Sequence, residues 1–230
     1  MNILSTILLA AQAGNEKATE VSLSFIDLAI KGGCIMIPLF LLSIVAIYIF
    51  AERYFAIRKA SDTDANFMNR IREYIHEDKI DSALALCQSK STPVARMIEK
   101  GVQRIGRPLS DVNTAIENVG NLEISKLEAS LPFLATISGG APMIGFLGTV
   151  IGMIQAFYDM SMAGNNIDVS LLSNGIYTAM VTTVAGLIVG VCAYFAYNYL
   201  VGKVGEVMRR LEMRSMEFMD LLNEPAAGKK

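Results

Sequence analysis

Hydroxyl and amide side chains lie within two long uncharged stretches of this chain, and they are the residues there that could bind an ion or water. Asn174, Thr178 and Thr182 recur at every fourth position, Thr183 follows directly, and Thr149 lies in the other stretch. Such groups can hydrate an ion path inside a membrane or coordinate a dehydrated cation. They can also bond to carbonyls of their own helix and do no more than pack. The pattern leaves both interpretations open, and the presence of hydroxyls on both stretches favours the ion path.

Glycines at helical spacing accompany these polar residues. They are Gly145, Gly148 and Gly152 in the first stretch and Gly186 and Gly190 in the second. Small residues four positions apart allow the backbones of two membrane helices to approach closely. The two stretches are therefore predicted to pack tightly as an antiparallel hairpin, with these glycines at helix contacts.

Several classes of function find no support in the residues. Neither stretch contains an acid, a base or a nucleophile with its base, so an enzyme site at membrane depth is disfavoured. The three cysteines lack metal-ligand spacing, and we expect no disulfide, metal or cofactor. The 20 basic and 22 acidic residues give a net charge of −2, which offers no large basic surface to nucleic acid.

The composition indicates that part of the chain lies in a membrane. Apolar residues make up 53% of the 230 positions, and the mean hydropathy is +0.42. Three uncharged runs are long enough to cross a hydrocarbon core of about 30 Å as helices. The segment between the first two runs carries helix start signals at Ser61, Thr92 and Ser110. We predict an all-α polytopic membrane protein with three transmembrane helices, whose long helices extend into a cytoplasmic helical domain.

The predicted segments follow from where charged residues begin and end. They are an N-terminal periplasmic or interfacial segment at 1–32, transmembrane helices at 33–55, 131–160 and 169–201, a cytoplasmic helical domain at 56–130, a periplasmic loop at 161–168, and a cytoplasmic C-terminal helix and tail at 202–230. The first segment fits either a signal-like sequence or an amphipathic helix on the membrane surface. The pattern from Ser110 to Leu131 has no stop signal, so this helix is expected to continue into the second span.

Lysine and arginine indicate the orientation of the spans. Basic residues follow the first span, at Arg53, Arg58 and Lys59, and the third span, at Lys203 and Arg210. Cytoplasmic flanks of membrane helices carry an excess of such residues, so we expect the N-terminus in the periplasm and the C-terminus in the cytoplasm. The basic face after the third span is also expected to lie near anionic membrane lipids.

The hairpin sequence resembles a known family. The run Ala141 to Met153 reads APMIGFLGTVIGM, and the run Gly175 to Leu187 reads GIYTAMVTTVAGL. Together they are similar to the signature hairpin of the ExbB/TolQ/MotA proton-channel family. The likeness is strongest over residues 110–205, and the three-span layout extends it over nearly the whole chain. MotA-type members have a fourth span, so the resemblance favours the ExbB and TolQ side, with ExbB closest.

This resemblance implies a function as well as a fold. It implies a homopentamer in the inner membrane of a Gram-negative bacterium, with a pore occupied by the helices of a dimeric ExbD-like single-span partner. An aspartate of that partner would take up and release protons, facing Thr149 and Thr183 of this chain. The proton motive force would then drive a molecular motor that energises TonB-dependent outer-membrane transport through a TonB-like protein. A TolQ-like envelope-maintenance motor, a non-motor scaffold and a stand-alone channel are the alternatives.

One residue departs from the family pattern. Many ExbB and TolQ members carry a glutamate in the third span, and the aligned residue here is Thr178. Either the partner supplies the only titrating group, or the coupling ion is Na⁺ and not H⁺, since hydroxyl and carbonyl oxygens also suit that cation. The proton is the default expectation.

Overall fold

The structure is a computed structural model that describes residues 32–61, 64, 66–163 and 169–223. Nearly all of the predicted N-terminal segment 1–32, and most of the predicted loop 161–168, lie outside these residues. The described part contains helices and no strand, which confirms the predicted all-α fold. The helices are α1 (Met36–Ser61, preceded by a 3-10 turn at Gly33–Ile35), α2 (Phe67–His76), α3 (Ile80–Gln88), α4 (Pro93–Val102), α5 (Leu109–Glu128), α6 (Leu131–Met162) and α7 (Val169–Asn223).

Three helical segments in the described part are long and apolar enough to cross a membrane, as predicted. They are α1, the pair α5–α6 and α7. The 55 residues of α7 would extend over about 80 Å at the usual rise per residue, far more than a bilayer core needs. The second half of α7 therefore extends beyond the apolar layer, where it packs against α4 and α5.

A short turn separates α5 from α6, where the sequence predicted one continuous helix. Ala129 and Ser130 form the turn, and both keep right-handed helical torsions. The cause is Pro132, which has no amide hydrogen to donate to the carbonyl of Glu128 and whose ring crowds that carbonyl. The break therefore lies at the point where the charged part of the helix meets its uncharged part.

Helices α4 and α5 and the C-terminal part of α7 enclose an apolar core. Phe218 of α7 and Ile116 of α5 are fully buried. Gly101 of α4 permits their close approach, since a Cβ atom there would lie 2.7 Å from side-chain carbons of both. The start of α4 follows the predicted signal, because the hydroxyl of Thr92 accepts a hydrogen bond from the amide of Ala95 at 3.3 Å.

Arg53 of α1 joins the first span to the end of α5. Its guanidinium donates to the carbonyl of Lys126 at 2.7 Å and to that of Leu127 at 3.4 Å. The last carbonyls of a helix lack hydrogen-bond donors within the helix and carry partial negative charge. An arginine there supplies both the donors and a compensating positive charge. The end of α5 is thus held by α1 at the turn that precedes α6.

Glu123 of α5 is a buried carboxylate, with only 4% of its surface exposed. It accepts hydrogen bonds from the guanidinium of Arg96 on α4 and from the ammonium of Lys126, the latter at 2.7 Å. Burial alone would raise the pKa of Glu123, but these two hydrogen bonds outweigh it and the pKa lies below its ordinary value. The cluster therefore ties α4 to α5 through a charged group that stays ionised.

The free energy of unfolding is expected to depend on Glu123 and on pH. Because its folded-state pKa is lowered, the carboxylate stabilises the fold above its unfolded pKa of about 4.3 and ceases to do so as pH falls through the folded pKa. Glu123→Gln should cost about 1–2 kcal/mol at neutral pH and should weaken the loss of stability in acid. Thermal unfolding followed by circular dichroism at pH 7 and in acid tests this. Glu128→Gln, at an exposed glutamate of the same helix, is the matched control, and equal effects of both variants would contradict the assignment.

Candidate ion path in the hairpin of α6 and α7

Glycines line the contact between α6 and α7 on both helices. On α7, a Cβ at Gly186 would lie 2.6 Å from the carbonyl oxygen of Ala141, and one at Gly190 would lie 2.5 Å from the ring of Pro142. On α6, a Cβ would lie 3.0 Å from the carbonyl oxygen of Thr182 at Gly145, 2.3 Å from the hydroxyl oxygen of Thr182 at Gly148, and 3.0 Å from the Cβ of Ala179 at Gly152. All five glycines singled out by their spacing thus lie where the two helices touch.

One further glycine belongs to this contact and was missed in the sequence. A Cβ at Gly175 would lie 2.3 Å from the Cβ of Ala156. The spacing does predict its position at the contact. Gly175, Ala179, Thr182 and Gly186 follow one another at intervals of four, three and four residues, which keeps them on one helix face.

Thr182 lies inside the hairpin and not on its surface. Only 1% of this residue is exposed, and its hydroxyl donates to the carbonyl of Ala179 in its own helix at 2.8 Å. The same hydroxyl fills the space opposite Gly148. Within a single chain, α6 therefore closes Thr182 off from any lumen, and the residue serves to pack the two helices.

Thr183 and Thr149 are both partly exposed. The hydroxyl of Thr183 donates across the hairpin to the carbonyl of Gly145 at 3.0 Å. The hydroxyl of Thr149 donates to the carbonyl of Phe146 at 2.6 Å. Since a carbonyl can only accept, both hydroxyl hydrogens are engaged, and the oxygen lone pairs remain for water or a cation.

These two threonines turn to the same side of the hairpin. Thr149 directly follows Gly148, and Thr183 directly follows Thr182, while Gly148 and Thr182 face each other. One residue turns a helix by about 100°. Because α6 and α7 run antiparallel, that step carries both threonines out to one side, which we name the open flank.

Asn174 and Thr178 lie on the other side. They precede Thr183 by nine and five residues, which corresponds to about 180° and 140° around the axis of α7. Ala185 and Val189 share the side of Thr178, and both pack against the core that includes Leu39 of α1. This side of the hairpin is covered at Ala185 and Val189, and we name it the covered flank; towards the start of α7 the cover ends, since Asn174 is exposed and Thr178 is partly exposed. The polar residues of α7 thus divide between the two flanks.

The surroundings of the open flank are apolar. Phe146, Met180 and Leu187 lie on it and expose 67%, 63% and 48% of their surfaces in the single chain. No charged residue occurs between Glu128 and Asp159, or between Asp168 and Lys203. The two threonine hydroxyls are thus fixed acceptor groups on an apolar surface that another protein segment or lipid must cover.

Comparison with known proteins assigns the family. The model of the MotA/TolQ/ExbB proton channel family matches residues 89–213, which span the whole hairpin and more than half of the chain. The chain belongs to this family. The resemblance inferred from the two hairpin runs is thereby confirmed, and the family is one of channels and not of enzymes.

Several family relatives carry ExbB and TolQ names. An ExbB homolog of Methanothermobacter thermautotrophicus is 29% identical over 178 residues, which cover 76% of this chain and 63% of that protein. The Tol-Pal system protein TolQ of Pseudomonas aeruginosa is 27% identical over 211 residues, 84% of this chain and 90% of the relative. The biopolymer transport protein ExbB of Aquifex aeolicus is 36% identical over 104 residues, 44% and 70% of the two chains. These relatives support membrane transport as the setting of the hairpin.

Proposed function

We propose that this family member is the ion-conducting subunit of an inner-membrane motor, assembled as a homopentamer around an ExbD-like single-span dimer. The open flanks of five hairpins would line the pore, and the N-terminus would lie in the periplasm. The motor would use the proton motive force to drive a TonB-like protein and so energise outer-membrane transport. The TolQ-like relative that covers 84% of this chain supports envelope maintenance as the second candidate role.

The observation that carries this proposal is the shared orientation of Thr149 and Thr183. Both hydroxyls give their hydrogens to backbone carbonyls and keep their lone pairs on the open flank. Acceptor oxygens fixed in an apolar surrounding favour water or a cation passing between the hairpin and whatever covers it. Thr182 contributes indirectly, because it packs α6 against α7 beside Thr183.

The uncharged spans support a partner that supplies the titrating group. A proton path needs a group that binds and releases the proton, and neither α6 nor α7 carries an ionisable acid at membrane depth. A carboxylate on the partner helix, facing the open flank, would provide it. Thr178, where many family members have glutamate, is on the covered flank, so the lack of an acid there leaves the open flank unchanged and the proton remains the proposed ion. Flux measurements on the reconstituted complex with a pH or Na⁺ gradient separate the two ions.

The test of the proposal is co-expression with the single-span protein encoded beside this chain. The purified complex is expected to contain five copies of this chain and two copies of the partner, measured by native mass spectrometry. Substitution of the partner's membrane aspartate by asparagine should leave this ratio unchanged and abolish ion flux. A ring that takes up no partner would contradict the motor and leave a scaffold or a stand-alone channel.

A further inference from the structure

A polar hollow lies between α1 and α7 where both helices leave the apolar layer. Its volume is about 270 Å³. The lining residues are Tyr54, Ile57, Arg58 and Ser61 of α1 and Tyr199, Leu200, Lys203, Glu206 and Arg210 of α7. It is separate from the open flank, since its walls belong to the side of α7 against which α1 packs.

Positive charge dominates this hollow. Lys203 is paired with Glu206, the only acid among the lining residues, at 3.1 Å. Arg210 uses one nitrogen to donate to the carbonyl of Ser61 at 2.9 Å. The hydrogen bond from Lys203 lowers the pKa of Glu206 most, and the charge of Arg210 helps to lower it, but Arg210 and Glu206 form no ion pair. No ion pair to Arg58 occurs within the described residues. Two of the three cations around the hollow, Arg58 and Arg210, therefore form no ion pair in the described part of the chain.

Aromatic rings form the side of the hollow that points into the membrane. The rings of Tyr54 and Tyr199 stack with centroids 6.4 Å apart, and Phe50 lies 6.1 Å from Tyr54 and 6.4 Å from Tyr199. The ammonium of Lys203 lies 5.9 Å from the Tyr199 ring. Tyrosines at this depth mark the interface between hydrocarbon and head groups. The hollow is thus basic toward the head groups and aromatic toward the hydrocarbon.

We propose that the hollow binds the phosphate of one anionic phospholipid, between Arg58 and Arg210. Guanidinium groups on two different helices, one of them oriented by its bond to the Ser61 carbonyl, suit a phosphate oxygen pair, which accepts bidentate hydrogen bonds. One acyl chain would follow Phe50 and the exposed Ile47 one turn further into the bilayer. The aromatic wall favours a lipid over free phosphate, because a soluble anion would leave that wall without a partner. Basic hollows between membrane helices on the cytoplasmic side are sites of this kind.

The experiment compares lipids on the full-length chain, purified in detergent in the assembly that it forms. Delipidated protein receives either a phosphatidylglycerol or a phosphatidylethanolamine with the same acyl chains, and native mass spectrometry counts the lipids retained. The expected result is saturation at one phosphatidylglycerol per copy and much weaker retention of the zwitterionic lipid. Inorganic phosphate in excess is expected to displace little of the bound lipid. This comparison needs no variant and so does not depend on a variant folding.

The double variant R58Q/R210Q localises the site. Loss of two cations that contact the head group should lower the apparent affinity about thirtyfold. R72Q/R107Q removes the same charge from two exposed positions, one in α2 and one in the connection between α4 and α5, and should bind like the wild type. Equal retention of both lipids, unsaturable binding, displacement by phosphate alone, or wild-type affinity in R58Q/R210Q would each overturn the proposal.

Discussion

Gly148→Leu is expected to separate α6 from α7 and to abolish the assembled, functional protein. Even the first added atom would lie 2.3 Å from the hydroxyl oxygen and 2.7 Å from the Cβ of Thr182, far inside normal contact distances. Thr182 is fully buried and bonded to its own helix, so it has no free direction in which to move. Overpacking of a tight contact usually costs about 1–3 kcal/mol, and a whole leucine at a backbone contact should exceed that range. Size-exclusion chromatography after heating, together with native mass spectrometry, measures the loss.

Gly139→Leu is the matched control for this prediction. Gly139 lies in the same helix, and a Cβ atom there would meet nothing within 4 Å in the single chain. The hairpin of the control should therefore keep its thermal stability. If Gly148→Leu and Gly139→Leu lowered the thermal midpoint equally, the effect would belong to any large residue in α6 and not to the contact with α7.

The glycine contacts were predictable from the sequence because they depend on local periodicity. Residues three and four positions apart share a helix face whatever the rest of the protein does. Small residues on such a face in an uncharged run have few uses other than close packing. The spans, the hairpin and the contact at Gly145 or Gly186 could therefore be predicted without any knowledge of neighbouring helices.

The division of the polar residues between two flanks could not be predicted in the same way. Periodicity gives the angle between Thr178 and Thr183 around α7, but not which side of α7 packs against α1. That choice depends on how α1 docks, through Leu39 and its neighbours, onto residues far away in the sequence. The burial of Glu123 could not be predicted for a similar reason, since its partner Arg96 lies 27 residues away in the sequence on another helix.

The turn between α5 and α6 has a signal of its own in the sequence, Pro132. Apolar periodicity continues through this region and predicted an unbroken helix. Pro132 nevertheless removes one donor and crowds the carbonyl four residues earlier, which interrupts the hydrogen-bond pattern without a polar loop. At this boundary between charged and uncharged sequence, Pro132 therefore ends the helix that the apolar periodicity predicted to continue.

Thr183→Val is expected to reduce ion-driven uptake while the complex still assembles. Valine keeps the branched shape of threonine but removes the hydroxyl that donates to the Gly145 carbonyl and offers its lone pairs to the open flank. Loss of one hydrogen-bonding group from an ion path raises the barrier by about 1.5 kcal/mol, or about tenfold in rate. Thr149→Val should act in the same direction, because its hydroxyl faces the same flank. Flux through the reconstituted complex and partner stoichiometry are the two measurements.

Thr136→Val separates this effect from the general loss of a hydroxyl in α6. The Thr136 hydroxyl is also bonded to a carbonyl of its own helix, that of Pro132 at 2.9 Å, but the residue lies away from the open flank. Its substitution should therefore leave flux unchanged, although the chemical change is identical. Normal flux in both Thr183→Val and Thr149→Val would refute the ion path. A loss of flux accompanied by loss of the partner would instead assign Thr183 to packing, since its bond to Gly145 also joins the two helices.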